Sequence, residues 1–264
     1  DQYSGHPRIG VAFGPHAPYT VSDAPLRKIA MHAEELDIGI HMHLHENAQE
    51  ISEGKQLYGL RPLRRLKQLD LLSPRLQCVH MTHLLDDEIQ LLKDTGAHVI
   101  HCPASNLKLA SGICRVADLQ AHGVNVALGT NGSASNNALD MLAELRLAAL
   151  LAKGSSNDAS VVPASQALAM ATLNGARALG IDNKVGSIEP GKQADLIAID
   201  LEHPRTQPVY DPCSTLTYSA AASQISHVWV DGQALVVNHQ LTRMDLAQVL
   251  EEARRWGAGI AAGA

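Results

Sequence analysis

The sequence predicts a parallel α/β fold of the (β/α)8-barrel kind, followed by part of a small β domain. Three observations carry that expectation. Strand-like apolar runs alternate with helical runs from Ile9 to Ala152, which is the grammar of a parallel sheet. Each run ends on polar or imidazole-bearing residues, as barrel strands do where they meet the active face. No G-x-G-x-x-G or Walker loop follows the first strand, although a doubly wound nucleotide-binding sheet would more often carry one.

The elements follow in order. Ile9 to Phe13 reads as a strand that ends at Gly14-Pro15-His16. Ser22 caps a helix whose apolar positions Leu26, Ile29, Ala33 and Leu36 keep helical spacing. Ile38 to Leu44 is the second strand, followed by a helical stretch from Ala48 to about Leu71, interrupted near Gly59 and Pro62. Leu76 to His80 is the third strand, and Asp86 or Asp87 caps the helix after it. Ala97 to His101 is the fourth, ending at Cys102-Pro103. A loop from Ala104 to Gly112 then leads to a helix that stops near His122-Gly123. Val124 to Leu128 is the fifth, ending at Gly129-Thr130-Asn131-Gly132, and a long helix runs from Asn137 to Ala152. The strand ends therefore present His16, His43, Glu46, His80, His101 and Asn131. Five units fall short of the eight that close a barrel.

After Ala164 the pattern changes. A helix from Ser165 to Leu179 ends at Gly180, Gly186 to Gly191 forms a turn, and Ala194 to Leu201 and His227 to Val237 read as antiparallel strands. Leu246 to Trp256 is an amphipathic closing helix. The expected division is barrel over 1–180, and part of a small β domain plus the closing helix over 181–264. The chain opens on Asp1 with a strand already under way by Arg8, so it is expected to begin partway through a longer protein.

Composition narrows the function. With 264 residues and 45% hydrophobic content the chain can bury a sizeable core. A net charge of −6 argues against nucleic acid or an anionic membrane as partner. No apolar stretch approaches the roughly 20 residues that span a bilayer, and no secretory signal opens the chain. Cys78, Cys102, Cys114 and Cys213 are widely spaced, so reduced thiols in the cytoplasm are expected.

The segment Ile40 to Glu46 carries the most chemistry. His41, His43 and His45 alternate at the strand period, so all three are expected on one face, with Glu46 just past the strand end. Imidazoles beside a carboxylate can hold a borderline metal such as zinc and keep a general acid/base next to it. His45, His83, His98 and His101 are expected to be structural or to support their neighbours, and Cys102 to be a packed thiol.

Seven motifs in order resemble the amidohydrolase superfamily, and within it the adenosine-type deaminases acting on methylthioadenosine and S-adenosylhomocysteine. They are Gly14 to Tyr19, His43-Leu44-His45-Glu46, Val79 to Leu84, His101 to Leu109, Leu128 to Asn137, Met170 to Ala176 and Gly191 to Leu196. The resemblance implies a distorted barrel flanked by a β-sandwich, and makes the five strands the fourth through eighth. It implies one divalent metal, usually zinc, bound by a first-strand H-x-H, a fifth-strand His and an eighth-strand Asp. On these positions His43 is the fifth-strand ligand, Glu46 the proton shuttle and His80 the sixth-strand catalytic His. His16 contacts the substrate, a small-molecule nucleoside, as Glu46 and the eighth-strand residue also do. A homo-oligomer is compatible with the family.

Two departures stand out. The first-strand H-x-H is absent, because too few strands follow His41-Met42-His43 for it to be that pair. Where the family carries Asp after Gly-Thr, this chain has Asn131, whose oxygen can ligate a metal weakly but cannot take a proton from water. The chain alone is therefore expected to be impaired as an enzyme. The alternatives kept open are a deaminase or chlorohydrolase of another purine or a triazine, and an inactive homologue serving as a binding subunit.

Overall fold

The computed structural model describes residue 3 and residues 5–263. Its centre is a five-stranded sheet, all parallel and in chain order: β1 (Ala12–Phe13), β2 (Gly39–Leu44), β3 (Leu76–His80), β4 (His98–His101) and β5 (Val126–Leu128). Helices fill the connections: α1 (Asp23–Leu36), α2 (Ala48–Tyr58), α3 (Pro62–Gln68), α4 (Asp86–Thr95), α5 (Pro103–Lys108) and α6 (Val116–Ala121). Beyond β5 come α7 (Met141–Ser156), α8 (Ala164–Met170) and α9 (Leu173–Ala178). The expected parallel order is what the structure contains, with His16, His43, His80, His101 and Asn131 all at the C-terminal ends of the strands or just past them.

Burial explains why these segments form strands. All five residues of β3 are buried, as in a strand covered on both faces. Ile40, Met42 and Leu44 of β2 point into the helix-side core with Leu63, Leu66, Leu76, Ile89, Leu92 and Leu119. Leu66 is fully enclosed. Leu66→Ala is therefore expected to cost about 2–5 kcal/mol, read as a lower urea midpoint at unchanged slope; a loss below about 1 kcal/mol would contradict this packing.

Several boundaries differ from the sequence expectation. The first strand shortens to two residues because only Ala12 and Phe13 find partners, Gly39 and Ile40. Ile9 and Val11 stay exposed. The expected loop at 104–112 begins as α5, which opens on a proline that needs no N–H partner, and the Ala104 N–H donates to Glu144 Oε2 at 3.1 Å. The helix expected from Asn137 starts at Met141, because Asp140 accepts from the Leu142 and Ala143 N–H groups and acts as its N-cap. The helix expected over 165–179 breaks between α8 and α9. There Asn174 donates to the Val126 carbonyl (2.9 Å) and accepts from Asn125 (3.0 Å), which draws α9 against β5.

The second sheet is antiparallel, β6 (Leu196–Ile199), β7 (Ile225–Val230), β8 (Gln233–Val237) and β9 (Gln240–Leu241). Asp231 and Gly232, both with positive φ (51° and 73°), turn β7 into β8 as a tight hairpin requires. Before β7, α10 (Pro212–Tyr218) was not expected; Asp211 caps it. The last helix, α11 (Leu246–Ala261), has no buried residue. No helix among the described residues is long and apolar enough to cross a membrane.

Candidate active site

Five of the residues expected at the site converge. His43 ends one residue before the close of β2. Its Nδ1–H donates to the His16 carbonyl at 2.8 Å, and the two rings meet edge-on at 5.2 Å. With Nδ1 so engaged, Nε2 keeps its lone pair, the arrangement by which a metal-binding histidine is oriented. Alternation along β3 would put His80 on the core side with Cys78. Instead its backbone enters the left-handed region (φ 81°), and the ring stacks on His43 at 5.4 Å. A non-glycine residue there is strained, as functional positions often are.

His80 is held from the other side. Its Nδ1–H donates to Asn106 Oδ1 at 2.7 Å, so Nε2 faces Glu46 Oε1 at 3.8 Å and Asn131 Nδ2 at 3.5 Å. Burial lowers the His80 pKa, and the Glu46 carboxylate works against that. Asn131 also donates from Nδ2 to Ser105 Oγ at 3.0 Å. The amide nitrogen therefore occupies the directions in which a carboxylate would accept. His16 stands at the rim, its ring edge-on to Tyr19 and bonded through Nδ1 to Thr20 Oγ1 at 3.1 Å.

Three histidines are not part of this convergence. His41 shares the face with His43, but its Nδ1 bonds Gln77 Oε1 at 2.7 Å, deeper in a cavity of about 250 Å³ that both rings line. His45 leaves the file. The backbone turns left-handed at this residue (φ 51°), and the ring lies buried, donating from Nδ1 to the His83 carbonyl and accepting from the Leu63 N–H, both at 3.0 Å. The expectation of three imidazoles on one face is thus corrected to two. His101 is buried, with no partner for Nδ1.

Sequence reasoning singled out neither Asn106, Glu50 nor Thr82 as functional. Asn106 orients His80. Glu50 and Thr82 grip the turn that carries Glu46. A polar residue just after a strand end was the available signal for Thr82; for Glu50 and Asn106, each inside a helix, there was no such signal.

Burial lowers the pKa of His45 and of His101 to about 3 from 6.5, and raises that of Glu50 to about 7 from 4.5. As pH falls from 6.5 toward 3, the unfolded chain takes up protons on both imidazoles that the folded chain refuses, and stability drops. Glu50 opposes this, since its folded-state advantage is present below 4.5 and lost as pH rises to about 7. Two imidazoles outweigh one carboxylate. The urea midpoint is therefore expected to climb between pH 4 and 6.5, and His45→Gln should flatten that climb; a level profile in the parent would contradict it.

Among the described residues no three His, Cys, Asp or Glu side chains come together as a metal site. His43 fits a ligand's role by its bonded Nδ1, and Asn131 can add an oxygen only by turning its amide. These two donors fall short of the three or four ligands that a zinc site takes in all.

An amidohydrolase family model matches residues 2–235. A 5-methylthioadenosine/S-adenosylhomocysteine deaminase of Teredinibacter turnerae is 52% identical over 97% of this chain, which spans 58% of that protein. Among solved structures, an adenosine deaminase from Xanthomonas campestris with bound zinc superposes with a TM-score of 0.98 at 48% identity, over 99% of this chain and 60% of that one. A mutant atrazine chlorohydrolase of Arthrobacter aurescens, complexed with zinc and atraton, gives a TM-score of 0.89 at 27% identity, over 96% of this chain and 57% of that one. The chain thus spans under two thirds of the proteins it resembles.

Proposed function

The chain belongs to the amidohydrolase family, and on that premise we propose that it is the larger part of a metal-dependent hydrolytic deaminase. Its substrate is an adenosine-type nucleoside, 5′-methylthioadenosine or S-adenosylhomocysteine, which loses ammonia from C6. One observation carries this reading: the Glu46 carboxylate lies 3.8 Å from Nε2 of His80, whose ring stacks on that of His43 at 5.4 Å. A deaminase needs a proton carrier, an oxygen-stabilising imidazole and a ligand at one spot, and these residues provide them.

That arrangement supports the following roles. A divalent metal, zinc in the first instance, would be held in part by His43 and would supply a water acidified to a pKa of roughly 7. Glu46 carries a proton to the ring nitrogen and then to the departing ammonia. Its carboxylate accepts no hydrogen bond among the described residues, so it is free to swing between them. His80, fixed by Asn106, would stabilise charge on the oxygen added at the attacked carbon. His16 at the rim contacts the purine, and Asn131 stands where a second proton acceptor would be. We assign 1–180 to the barrel and 181–264 to the flanking β domain. The four free cysteines agree with a cytoplasmic enzyme.

The test is ammonia release from methylthioadenosine by the full-length protein, including any segment upstream of Asp1. A second reading, a binding subunit without turnover, rests on the Asn131 amide turned toward His80. This chain alone is expected to retain well under one zinc per molecule after dialysis. Tight one-to-one zinc would mean that His41, His45 or Asn131 moves to ligate.

A further inference from the structure

The turn that carries Glu46 is gripped from two sides by side chains that do not reach the reacting centre. On one side Glu50 is buried (2% exposed), and its carboxylate accepts from two successive backbone groups. Oε1 accepts from the His45 N–H at 2.9 Å and Oε2 from the Glu46 N–H at 2.8 Å. On the other side Thr82, 7% exposed, places Oγ1 2.6 Å from the Glu46 carbonyl and 3.0 Å from that of His45, while its own N–H donates to the His45 carbonyl at 3.0 Å. Space behind Thr82 is closed: a Cβ on Gly112 would lie 3.1 Å from Thr82 Cβ.

The grip matters because nothing else fixes Glu46. Among the described residues its carboxylate makes no hydrogen bond, with His80 Nε2 3.8 Å away. A proton shuttle needs that freedom at its tip, so its position must be set at its root. The root is a left-handed turn at His45, a conformation that a β-carbon disfavours. The two oxygens of one carboxyl group satisfy two adjacent N–H groups there. A glutamine would set an amide against one of them, and an aspartate would fall one methylene short.

We propose that Glu50, with Thr82 opposite, is a positioning residue that acts through Glu46 by clamping its peptide unit. This deepens the deaminase reading and rests on it. The expected signature is loss of kcat with little change in KM, since the contact from His16 at the rim stays in place and only Glu46 shifts. Small misplacement of a catalytic group costs up to about 10²-fold in rate.

The experiment is a double-mutant cycle in the full-length protein carrying Asn131→Asp, with deaminated nucleoside followed by chromatography. Glu50→Gln and Thr82→Val should each lower kcat by about 10-fold or more, with KM within about twofold. Placed on Glu46→Gln, neither should lower the rate further, because the group they position is gone. A merely structural role would instead multiply the losses, and that result, or an unchanged kcat, overturns the proposal. If Glu50→Gln does not fold, Thr82→Val carries the same cycle to the same two outcomes. If the reference protein is silent on every purine and triazine, the deaminase reading falls and this one with it. If it is active and the losses multiply, only the clamp falls.

Discussion

Asn131→Asp in the full-length protein is expected to raise the rate of ammonia release from methylthioadenosine by about 10²-fold or more. In the present chain the Asn131 amide nitrogen faces both His80 Nε2 (3.5 Å) and Ser105 Oγ (3.0 Å). It is a donor in a place where hydrolysis needs an acceptor for the water's proton. A carboxylate is nearly the same size, and Ser105 can reverse its hydroxyl to donate to it. The substitution therefore restores a base without repacking its surroundings. General-base contributions of about 10²–10⁴-fold set the size of the gain. Full activity with Asn131 in place would show that the water's proton goes elsewhere. A dead Asp variant on every purine and triazine tried would favour the binding-subunit reading.

Glu46→Gln in the same Asn131→Asp background should remove that gain, lowering kcat by about 10²–10⁴-fold. Glutamine keeps the shape of the side chain and its place opposite His80, but has no proton to pass to the ring nitrogen or to the departing ammonia. Because the Glu46 backbone is held by Glu50 and Thr82 and not by its own carboxylate, the variant should keep the parent's melting temperature within a few degrees. A loss of activity that tracks a loss of folding would point to a structural residue. Activity within a few-fold of the parent would take the shuttle away from this position altogether.

Much of the fold was legible because apolar alternation and turn residues act locally. β2 could be read from Ile40, Met42 and Leu44 facing the core, and the strand-end positions of His16, His43, His80 and Asn131 followed from the turns beside them. What escaped reading depends on partners far along the chain. The break before α9 comes from Asn174 bonding to β5 across 48 residues of sequence. His45 fails to follow His41 and His43 because a left-handed turn at a non-glycine residue carries no sequence signal. It is stabilised by Glu50, Thr82 and the Leu63 N–H, each of which looks ordinary in isolation. His80 was read as a site residue by resemblance; the backbone strain and the Asn106 contact that aim its ring appear only in three dimensions.

The bond from His43 to residue 16 ends on a main-chain oxygen. Any amino acid at that position offers the same acceptor, so the orientation of the inner imidazole does not depend on which side chain stands at the rim. Descendants of this protein can exchange residue 16 and so reshape what the entrance admits, while the group behind it keeps its tautomer and its aim. Changes in diet at the mouth and constancy of chemistry within are thereby uncoupled at a single residue, one whose backbone serves the machinery and whose side chain is free to drift.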